Sequence, residues 1–101
     1  MPGRIEYFIC SGNGIENKGA SLVEITCLTE ELPKQECFKK FAKEIAMIAY
    51  IYQVSSWDEI FEVCPCSKVT KEKIEEQYND KIEIKKIVVM TLSDSIMSLK
   101  S

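Results

Sequence analysis

Apolar and polar positions alternate most clearly near the two ends of the chain. Residues 4–10 read RIEYFIC. In a strand successive side chains point to opposite faces, so Ile5, Tyr7 and Ile9 share one face and Glu6, Phe8 and Cys10 the other. Residues 21–28, SLVEITCL, alternate likewise, with Val23, Ile25 and Cys27 opposite Leu22, Glu24, Thr26 and Leu28. The SGNGIENKG between them has the Gly and Asn content of a hairpin loop. Matching the apolar faces sets Ile5, Tyr7 and Ile9 beside Cys27, Ile25 and Val23. Residues 81–92, KIEIKKIVVMTL, form a third strand. Its Ile87 to Leu92 half is apolar on both faces, which predicts a central strand, and Lys85-Lys86 marks a bulge or a sheet edge.

The period changes in the middle of the chain. Phe38, Phe41, Ala42, Ile45, Ala49 and Tyr52 recur at three- and four-residue steps, the spacing of a long helix. Pro33 suits its first position, where a missing N–H costs nothing. Lys39, Lys40 and Lys43 oppose the apolar stripe, and after Glu44 the helix is apolar nearly all round. Ser56-Trp57-Asp58-Glu59 fits a capping box that opens a helix of about two turns, with a strand at 59–63 as the alternative. Pro65 ends this element. Thr70 predicts a new N-cap, with Val69 and Ile74 as a hydrophobic staple, and a second short helix running to about Tyr78.

The order ββαααβ predicts an α+β fold: an antiparallel sheet of three or four strands, the N-terminal hairpin plus the C-terminal strand, with one long and two short helices. At 101 residues the chain is expected to be a single domain, 1–101, with 93–101 a loosely ordered tail. With 46% hydrophobic and 29% charged residues, it has the composition of a globular rather than a disordered chain. The longest apolar stretch, Ile45 to Tyr52, is too short to span a bilayer, and MPGRIEYF has no signal-peptide run; a cytoplasmic protein is expected, with no membrane partner. The basic residues are twelve Lys and one Arg, a balance typical of low-GC genomes such as those of bacteria and their phages.

Candidate chemistry is sparse. A net charge of −3 argues against broad phosphate neutralisation, and one Arg gives little bidentate base readout, so no nucleic-acid partner is expected. With no histidine, general acid–base catalysis loses its commonest agent. Glu72, Glu75, Glu76, Asp80 and Glu83 read as a solvated charged face, so no catalytic residues are assigned. Cys64-Pro65-Cys66 is one close pair of thiols where tetrahedral zinc needs four ligands. Cys10 and Cys27 fall on opposite hairpin faces, several residue pairs apart, so neither a metal nor another cofactor is expected. Cys66 is the candidate reactive thiol.

The pattern supplies more apolar surface than one helical layer can cover. With Ile5, Tyr7, Ile9, Val23, Ile25 and Cys27 under the long helix, the outer face carries Phe8, Cys10, Leu22 and Leu28, with Ile87, Val89 or their neighbours. Unless the two short helices cover it, it predicts a protein interface. The leading expectation is a small non-enzymatic interaction module, a regulator or inhibitor that binds a partner protein and self-associates as a dimer. Its contact residues would be Phe8, Leu22, Glu24 and the loop around Asn13 and Asn17. A small-ligand binder with a dimer-seam pocket lined by Tyr50, Tyr52 and Trp57 is the alternative, and a cysteine-based redox or metal protein the third.

Overall fold

The computed structural model describes residues 2–12 and 15–91, with side chains given outside 11–18. Asn13, the side chain of Asn17 and the tail at 93–101 lie outside what is described. Three strands, β1 (Gly3–Gly12), β2 (Ile15–Thr26) and β3 (Glu83–Thr91), form one antiparallel sheet in the order β1-β2-β3. Between β2 and β3 come a 3-10 turn (Leu32–Lys34), a long helix α1 (Glu36–Tyr52) and two further helices, α2 (Trp57–Val63) and α3 (Pro65–Tyr78). The fold is α+β in the order ββαααβ, as the periodicities predict.

One face of the sheet carries the core. Val23 and Ile25 from β2, with Cys27 just beyond it, pack under Phe38, Phe41, Ala42 and Ile45 of α1, all essentially inaccessible to water. The Ser21 hydroxyl is buried in this layer and donates to the carbonyl of Ala46, which ties α1 to the middle strand. Ile60 of α2 and Ile74 of α3 complete the cluster from the same side.

The hairpin register differs from the apolar match. Tyr7 stands across from Leu22 rather than Ile25, a shift of three residues, and an odd shift exchanges the faces. Glu6, Phe8 and Cys10 therefore face the helices, while Ile5, Tyr7 and Ile9 face away. The physical reason is visible at Glu6: its carboxylate is buried against the Arg4 guanidinium, Nε to Oε2 2.8 Å, beside the lysine flank of α1. A charged residue is accommodated inside when paired, so the more apolar face of β1 is left outside. Cys10 and Cys27 also share the inner side, but at opposite ends of the hairpin.

Other expectations change in detail. Among the described residues β3 lies at a sheet edge and β2 is central, because only β2 finds a strand partner on both sides. The bulge is where Lys85-Lys86 placed it: Glu24 pairs with Lys86 and Ile25 with Ile84, leaving Lys85 extra. Pro33 sits in the 3-10 turn, and α1 starts after the extended Gln35. Residues 57–63 are helical, capped as the box predicts, with the Glu59 N–H donating to the Ser56 hydroxyl at 3.3 Å. Pro65 opens α3 instead of only closing α2, since its fixed φ suits a first helical position. Thr70 is thus a helix-interior residue, its hydroxyl donating back to the Cys66 carbonyl at 3.1 Å, and Val69 is exposed rather than stapled to Ile74.

The acidic face is not uniformly solvated either. Asp80 is buried and accepts from Leu28 N (2.6 Å), Thr29 N (3.1 Å), Thr29 Oγ1 (2.6 Å) and Lys81 N (2.6 Å), clamping the exit of β2 to the entry of β3. Glu75, half-buried, accepts from Ile82 N and pairs with Lys71.

Candidate interaction face

The side of the sheet away from the helices is built by cross-strand rows. Ile5, Glu24 and Lys86 form the first, Tyr7, Leu22 and Val88 the second, Ile9, Ala20 and Met90 the third. The second and third rows contain no charge. Ile5 is 64% exposed, Tyr7 51%, Leu22 47% and Met90 63%. The short helices pack with α1 on the opposite side, so they do not cover these rows. Between the first two rows lies a shallow dimple of about 190 Å³, lined by Ile5, Leu22, Glu24, Lys86 and Val88. Large adjoining apolar side chains of this kind form a patch rather than scattered exposure.

The predicted contact residues divide between the two sides. Leu22 and Glu24 belong to the outer face. Phe8 does not: its ring lies 5.7 Å from that of Tyr50 on the helix side, half-buried. Of the alternatives left open on β3, Ile87 and Val89 turn inward, opposite Val23 and Ser21, and their neighbours Val88 and Met90 lie outside. The residues that the apolar match turns inward and the structure turns outward are Ile5, Tyr7 and Ile9. A usable signal was present: Arg4 and Glu6, opposite charges two apart in a strand, can pair on a face next to a lysine-rich helix.

Within one chain, the residues expected to line a dimer-seam pocket do not come together. Trp57 stacks on Phe61 (5.3 Å between ring centres) and on Phe41 (6.0 Å), with the Lys71 ammonium 5.5 Å from the indole ring. Tyr50 is nine residues beyond Phe41, about 13 Å along the helix, where its ring lies over Gly19. A methyl group at position 19 would collide with that ring. Tyr52 is exposed.

Cys64 sits in the one-residue joint between α2 and α3, half-buried, with Cys66 exposed. Their sulfurs are 3.1 Å apart. Hydrogen bonds from the Ser67 and Cys66 side chains pull the Cys64 thiol below its ordinary pKa, and the same contact with Cys64 pushes Cys66 up. The contact draws Cys64 toward the thiolate, while Cys66, the candidate reactive thiol, is the more accessible sulfur. Among the described residues no group of three or more His, Cys, Asp or Glu side chains gathers as a metal site.

A second concavity, about 630 Å³, runs between β1 and α1 and is lined by Arg4, Lys39, Lys40 and Lys43 with Glu6 and Glu36. The Arg4–Glu6 pair and a Lys39–Glu36 pair at 3.6 Å neutralise part of its charge from within. Among the described residues no helix is long and apolar enough to cross a membrane. No family model matches the chain, and no curated protein or solved structure matches it either.

Proposed function

We propose that this chain is a small non-enzymatic interaction module of the cytoplasm, a regulator or inhibitor that acts by occupying the surface of another protein. One observation carries the reading: the outer face of the sheet is a continuous apolar surface that the chain's own helices leave uncovered. At about 25 cal/mol per Å², covering each large side chain there is worth about 2–3 kcal/mol. The flat strand face with a shallow dimple suits a protein surface better than a small molecule, which needs a concave site.

The reading is tested by affinity capture with three baits: the native chain, Tyr7→Lys on the outer face and Lys40→Glu on the exposed side of α1. Proteins held by the native chain and by Lys40→Glu but lost from Tyr7→Lys are the expected result. A set of captured proteins indifferent to Tyr7→Lys would falsify the reading.

A further inference from the structure

We infer that the outer face closes against a second copy of this chain, sheet on sheet, an inference that rests on the interaction reading above and names the first occupant of that face. Three features of the patch point to a copy of itself. The first is area. Ile5, Tyr7, Ile9, Leu22, Val88 and Met90 together expose roughly 600 Å² of surface, so two copies that cover it fully bury roughly 1,200 Å², which reaches the lower bound for a specific, stable protein pair.

The second is charge. The patch carries one acid, Glu24, and one base, Lys86, directly across from each other on β2 and β3. The patch is neutral, so the same patch on a second copy adds no net repulsion across the contact, whereas a strongly acidic or basic partner would find little to pair with.

The third is symmetry. Leu22 lies in the middle row on the middle strand. A two-fold axis across the strands at Leu22 sets Leu22 on Leu22 of the other copy and the Ile5 row over the Ile9 row, with the sheets about 10 Å apart. Glu24 and Lys86 then lie at the ends of the interface in both copies. An apolar centre with charges at the rim is the anatomy of a stable interface.

The test is sedimentation equilibrium of the full chain across micromolar concentrations, with circular dichroism as the check on folding. The expected result is a monomer–dimer equilibrium that Leu22→Glu weakens about 100-fold at unchanged dichroism. Met90→Lys, at a sheet edge where a charge is tolerated, reads the same contact if Leu22→Glu fails to fold. A dimer indifferent to both substitutions overturns the inference, and so does a chain monomeric throughout. Binding of a fluorescent dye for apolar surfaces separates the two levels in the monomeric case. Dye bound by the native chain and lost in Met90→Lys overturns the self-association alone; no dye bound overturns the interaction reading with it.

Discussion

Asp80 ties the exit of β2 to the entry of β3 through one buried carboxylate. Its burial raises the pKa, but the bonds from the Thr29 hydroxyl and the Leu28, Lys81 and Thr29 amides outweigh that and hold the carboxylate below its ordinary value of 3.8. A group whose folded pKa is depressed contributes its stability above the unfolded value and loses it as pH falls through the folded one. Asp80→Asn is therefore expected to destabilise by about 2–4 kcal/mol at neutral pH, with the gap to the native chain closing below the ordinary carboxylate value. Urea unfolding at a series of pH values measures this; a gap that stays constant into acid would contradict it. At the α2–α3 joint, Cys64 is expected to alkylate faster than Cys66 near neutral pH, because the thiolate is the reactive form. Timed alkylation with peptide mass mapping decides, and a faster Cys66 would refute the assignment.

At the scale of elements, two hydroxyl residues that look alike in sequence do different work. Ser56 satisfies an otherwise unpaired N–H at the start of α2, so Ser56→Ala should cost about 1 kcal/mol. Thr70 lies within α3 and only back-bonds to a carbonyl that the helix already uses, so Thr70→Ala should be neutral or gain a few tenths of a kcal/mol. Thermal melts of the two variants distinguish the joint at Pro65 from a helix starting at Thr70. Much of this level was legible in the chain. The three- and four-residue spacing of Phe38 to Tyr52 locates α1, the capping box locates α2, and Lys85-Lys86 marks the bulge in β3. Three features were not legible. Pro65 can end one helix or begin another, and only the packing of both helices decides. An apolar strand reads as central whether its second face is covered by a neighbour or left open, so the pattern alone does not put β3 at the edge. The hairpin register was inverted because Glu6 is buried through Arg4, and a pattern of apolar and polar letters cannot represent a paired charge facing inward.

For the molecule as a whole, the inversion of the hairpin relocates the candidate site and leaves its logic intact. The sheet has one layer of helices and two faces, and the apolar residues of β1 fall on the face that no described element covers. Leu22 and Glu24 were read correctly as members of that face, whereas Phe8 was exchanged with Ile5, Tyr7 and Ile9 by the shift of three. The basic flank of α1 and the Cys64–Cys66 joint lie on the helix side of the sheet, so a substitution in the outer rows should leave both unchanged.

The central claim is that the second face of the sheet is open to solvent in the isolated chain. Methyl NMR with a water-soluble paramagnetic agent tests it at each position, at concentrations dilute enough to hold the chain as a monomer. Strong broadening of the Ile5, Ile9, Leu22, Val88 and Met90 methyls, with Val23, Ile25, Ile45 and Ile60 protected, is the predicted result. Outer-row methyls as protected as those of Val23 and Ile25 would contradict it, since something within the chain itself would then already cover the face.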